Sequence, residues 1–76
     1  MGTGLLLRPA SSIHTWFMRF RIDAVFLDAE GTVVRVAEDL RPWRTAGRRG
    51  ARAVLELASG ECARRGLQPG DRLVFG

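Results

Sequence analysis

The chain has 76 residues, a formal net charge of +4, one cysteine and one histidine. That size allows one small domain burying only about 60% of its unfolded surface, and it excludes a disulfide framework or a four-ligand structural zinc site. Every cation is arginine, so the basic charge permits contact with nucleic acid or an acidic surface without demanding it.

Gly2 to Pro9 reads as a short apolar lead-in closed by proline. From Ser12 to Phe20 apolar and polar residues roughly alternate, which predicts a strand. Ser12, His14, Trp16, Met18, Phe20 and Ile22 share one face; Ile13, Thr15, Phe17, Arg19, Arg21 and Asp23 share the other. The first face is the more apolar and is expected to point inward. Ile22 to Leu27 is almost wholly apolar, as in a strand covered on both sides. Asp28 to Gly31 reads as a tight turn into a Val-rich strand, Thr32 to Ala37, completing a β-hairpin.

Glu38 to Arg52 reads as a loop, because Pro42 forbids a central strand and Gly47 and Gly50 loosen the chain. Ala53 to Leu57 is a short strand with Ala53, Leu55 and Leu57 inward and Val54 and Glu56 outward. Ser59 is placed to cap a short helix, Gly60 to Arg65, and Gly66 suits its left-handed end. Pro69-Gly70 fits the centre of a type II turn before a last strand, Arg72 to Phe75. Five short strands and one helical turn predict a mostly-β domain over residues 1–76. No apolar run reaches the roughly 20 residues of a membrane helix. The Leu5-Leu6-Leu7 run is too short for a signal-peptide core, so a cytoplasmic location is expected.

Six elements occur in order: Gly4-Leu5-Leu6, His14 to Met18, Ile22-Asp23, Asp28 to Gly31, Leu55 to Gly60, and Gly66 to Asp71. In this order they resemble the bacterial and archaeal family known as domain of unknown function 192, DUF192. The resemblance implies a compact antiparallel β-sandwich or jelly-roll-like barrel, and it brings no reaction, cofactor or catalytic residue. Arg21 and Ala58 stand where members carry proline. Members also continue further in front, with one more strand. The resemblance therefore implies an N-terminally truncated form, whose unpaired edge invites a homodimer.

Several residues carry possible chemistry. His14, Trp16 and Met18 on one strand face suggest a small aromatic pocket for a sugar or another planar ligand; core packing is the competing reading. Asp23 sits inside an apolar run, where a charge must be paired or hydrogen-bonded. It reads either as a general acid or base, or as an acceptor holding a strand corner. A further reading sets Glu56 opposite it across a cleft, as paired carboxylates are in glycosidases. Cys62 reads as a small packed residue. Arg44, Arg48, Arg49 and Arg52 form a basic loop able to clamp phosphates or an acidic partner. The function expected is a non-catalytic small-ligand binding module, with a rim cleft of His14, Trp16, Met18, Asp23 and Glu56. The alternative is an interaction protein using the Arg-rich loop 44–52. Neither reading calls for a metal or a cofactor.

Overall fold

The computed structural model describes residues 4–16 and 19–74. Six strands and one helix follow in order: β1 Leu5–Leu7, β2 Ser12–His14, β3 Ile22–Leu27, β4 Val33–Leu40, β5 Thr45–Gly47, β6 Ala53–Ala58 and α1 Glu61–Arg65. The main sheet has the order β1-β6-β3-β4, and β2 pairs with β5 in a second, smaller sheet. All pairings are antiparallel. The chain is thus mostly β, as expected; the described residues form two sheets and one short helix, and no barrel closes among them.

The apolar run of β3 explains its place. All six residues are buried, so β3 must be covered on both faces and flanked on both sides. Ile22, Ala24 and Phe26 face Ile13 and Ala46 of the small sheet. Val25 and Leu27 face Cys62 of α1 and, beyond it, Leu67 and Leu73. Enclosing a side chain such as Phe26 contributes about 1.5–3 kcal/mol. The small sheet therefore covers one face of the main sheet, and α1 with the C-terminal segment covers the other.

The β3–β4 hairpin forms as expected. The Asp28 carboxylate accepts the N–H groups of Glu30 and Thr32, both at 2.9 Å. Gly31 has φ +84°, and a Cβ there would lie 2.6 Å from the Leu73 carbonyl oxygen, so the turn needs glycine. Gly66 ends α1 at φ +65°, also as expected. In the Gln68–Asp71 turn the Asp71 N–H donates to the Gln68 carbonyl, and Gly70 has φ +98°.

Other expectations are corrected. The strand from Ser12 ends at His14, and its inward residues are Ile13 and Thr15, while Ser12, His14 and Trp16 are exposed. Counting aromatic residues misassigned the face, because the rings lie on the outside. Phe17, Met18 and Phe75 lie outside the described residues. The supposed loop 38–52 contains the end of β4 and all of β5. Pro42 is tolerated because it falls in the turn between them. Val54 is fully buried rather than outward, since β6 is covered on both faces like β3. Arg72 makes only an isolated bridge to Thr32, not a strand. Gly60, not Ser59, is the N-cap of α1, and no side chain of its own segment caps it.

Candidate functional site

Thr15 organises one end of the small sheet. It is almost fully buried, and its backbone exchanges hydrogen bonds with the 41–44 turn: Thr15 N–H to the Arg44 carbonyl at 2.8 Å, and Trp43 N–H to the Thr15 carbonyl at 2.9 Å. Its hydroxyl accepts the Arg44 N–H at 2.9 Å and donates to the Arg41 carbonyl at 2.6 Å. Those are the two groups that would close a β-turn on each other. The Thr15 hydroxyl bridges them instead, locking the turn to the sheet.

Pro42 and Trp43 occupy the two central positions of that turn. Trp43 has φ +64°, a left-handed conformation usually left to glycine or asparagine at this place. A bulky residue there carries a cost of roughly 1–2 kcal/mol. The result is an aromatic ledge. The His14 and Trp16 rings lie 4.9 Å apart, and Trp16 stacks on Trp43 at 6.4 Å with 22° between planes. Trp16 is 46% exposed and Trp43 60% exposed. Such rings present flat apolar faces beside polar edges, the geometry that planar ligands stack on.

The structure brings together two of the five residues expected in a common cleft. His14 and Trp16 lie in the ledge; Met18 is outside the described residues. Asp23 and Glu56 are elsewhere. In the antiparallel register Asp23 faces Leu57, whereas Glu56 faces Ala24. Their side chains therefore leave the main sheet on opposite faces, and they cannot oppose each other across a cleft.

Asp23 is fully buried on the α1 side. Its Oδ1 accepts the Asp39 N–H at 2.8 Å, and its Oδ2 accepts those of Gly60 and Cys62, each at 3.0 Å. It thus holds the end of β4 and the start of α1, the corner-holding role that is one of its two readings. Asp39 beside it keeps an exposed carboxylate whose pKa is lowered by the Ser59 hydroxyl and by Arg21. Glu56 is half-buried, and burial raises its pKa. Burial and the neighbouring Asp23 carboxylate push the Cys62 thiol up to about 12, so it is no nucleophile at neutral pH. Among the described residues no group of three His, Cys, Asp or Glu is arranged to hold a metal ion.

Trp43 is the ledge residue that sequence reasoning missed. The signal was present: Pro at the second position of a turn, followed by Trp where Gly or Asn belongs. The four arginines of the expected basic loop do not share one loop: Arg44 precedes β5, and the other three follow it. Arg48, Arg49 and Arg52 are exposed around Gly50, in a turn closed by Ala51 N–H to the Arg48 carbonyl at 3.1 Å. A separate cleft of about 250 Å³ opens between Leu6, the Asp28–Gly31 turn and Leu73. None of the expected site residues lines it. No described helix is long and apolar enough to cross a membrane.

Comparison with known families agrees with this architecture. The model of the DUF192 family, described as uncharacterized ACR, matches residues 1–75, and the chain belongs to that family. Among curated proteins, no relative matches it. A protein of unknown function from Novosphingobium aromaticivorans has a similar structure, with a TM-score of 0.84 and 24% identity. The match covers 95% of this chain and 56% of that one. A Sinorhizobium meliloti protein described as a "putative transcription regulator" is similar at a TM-score of 0.73 and 24% identity, covering 95% and 54%. At that identity the likeness is one of fold. The chain spans just over half the length of both.

Proposed function

We propose that this DUF192 chain is a non-catalytic binding module whose contact surface is the ledge of His14, Trp16 and Trp43. The observation that carries this reading is Trp43. A bulky ring is held in a left-handed turn position that glycine would occupy at lower cost, and it stays 60% exposed. The stack on Trp16 offsets part of that cost, and the exposed side of the ring offers a ligand a flat partner. The reading also takes the two sheets as an open, jelly-roll-like sandwich acting in the cytoplasm.

The distribution of reactive groups favours binding over catalysis. Asp23 gives both oxygens to backbone N–H groups, Glu56 leaves the opposite face, and the Cys62 thiol stays protonated. General acid–base work needs such groups within hydrogen-bond reach of one substrate. The surface is a ledge rather than a cleft, which suits a ligand longer than the rings themselves.

Tryptophan emission of the full chain, titrated with oligosaccharides and with nucleotides, tests the reading. Stacking on one exposed ring contributes about 1–3 kcal/mol, so Trp16→Ala and Trp43→Ala should each weaken binding roughly five- to hundredfold. Glu56→Gln should leave it unchanged. A ligand bound equally by both ring variants would place the site elsewhere.

A further inference from the structure

The charges of this chain are not spread evenly over the fold. Residues 8–22 and 40–52 supply β2, β5 and the loops around them, and they hold eight arginines and no Asp or Glu. The rest of the chain holds the other four arginines and all eight carboxylates. Among the described residues, Arg21 is the one of the eight that forms an ion pair, with Asp39. Among the described residues Arg8, Arg41, Arg44, Arg48, Arg49 and Arg52 are exposed and form none. The cations of α1 are instead taken up by Glu61, which pairs with both Arg64 and Arg65.

This basic layer is also the layer of the ledge. On the outer surface of the β2–β5 ribbon, Trp16 and Trp43 lie at the His14–Thr45 end of the pairing. The Arg48-Arg49 turn lies at the Ser12–Gly47 end, tied there by Arg48 N–H to the Ser11 carbonyl at 2.9 Å. A near-extended path from Trp43 to Arg48 is roughly 15 Å long. The rings lie at one end of this path and the Arg48-Arg49 turn at the other.

Resting on the ledge reading, we infer that the ligand is a single-stranded nucleic acid, bound across the β2–β5 ribbon with bases on Trp16 and Trp43 and phosphates along Arg44, Arg48, Arg49 and Arg52. A neutral saccharide would use the rings and leave the segregated charge unanswered. An acidic protein surface would use the charge and leave the rings unanswered. A strand of unpaired bases answers both. Duplex DNA fits less well. Its bases are already stacked on one another and leave the exposed rings without a partner.

Fluorescence anisotropy of the full chain with labelled mixed-sequence 12-mers, as single-stranded DNA, single-stranded RNA and duplex, tests this. Both single strands should bind more tightly than the duplex. Neutralising about four phosphates predicts a roughly fiftyfold loss between 50 and 200 mM salt. The paired exposed substitutions Arg48→Gln and Arg49→Gln should flatten the salt dependence, and Trp16→Ala and Trp43→Ala should weaken binding at every salt. Circular dichroism should show all these variants folded. If no oligonucleotide binds but an oligosaccharide quenches tryptophan emission, this inference is wrong and the ledge reading stands. If oligonucleotides bind with the same affinity to both ring variants, and heparin displaces them equally, the arginines act alone; both are then wrong.

Discussion

Removal of the Asp23 carboxylate is the sharpest test of how this fold holds together. Three buried or partly buried N–H groups, from Asp39, Gly60 and Cys62, depend on its two oxygens. Hydrogen bonds to a charged acceptor contribute about 1.5–3 kcal/mol each, so the three together contribute roughly 4–9 kcal/mol. A domain of this size has roughly 4–11 kcal/mol of total stability. Asp23→Ala leaves all three donors without a partner and should leave the chain largely unfolded at 25 °C. Asp23→Asn keeps one carbonyl oxygen but turns an amide N–H₂ toward a donor. It should cost about 2–4 kcal/mol, leaving a folded but weakened chain. Urea denaturation followed by circular dichroism gives both values, and ligand titration of Asp23→Asn should show an intact ledge. An Asp23→Ala chain within about 1 kcal/mol of the parent would refute the argument that this carboxylate caps α1 and the end of β4.

Other outcomes follow from particular contacts. Thr15→Val removes the hydroxyl that joins Arg41 to Arg44; it should destabilise the chain by about 1–3 kcal/mol and weaken ligand binding at the ledge, read by urea midpoint and fluorescence titration. Trp43→Gly relieves the left-handed strain, so it should leave stability within about 1 kcal/mol of the parent while ligand affinity falls. At high pH, Cys62 is the only side chain titrating between about 8.5 and 12, because the chain has no Tyr and no Lys. Its folded pKa is raised to about 12, so the neutral thiol favours the fold. Stability should be complete below pH 8.5 and fall as the pH rises toward 12, and Cys62→Ala should flatten that limb of the denaturation profile.

The apolar run of Ile22–Leu27 was legible as a strand covered on both faces, because it is short and ends at the Asp28–Gly31 turn signal. The Asp28–Gly31 hairpin and the Gly66 helix end were equally legible, because local turn chemistry sets them. The family was legible too, from short motifs in order. What could not be read was which side of an amphipathic strand faces in. His14 and Trp16 count as apolar by composition, yet they lie outside because Ile13 and Thr15 fit against Ala46 and the 41–44 turn. Ser59 looked like a cap, but Asp23, 37 residues before Gly60, had taken that role across the sheet. Pairing of distant segments made both decisions. The same pairing set Trp43 beside Trp16 and brought two separate arginine-bearing segments into one layer. Periodicity reports on neighbours along the chain; only tertiary structure decides neighbours across it.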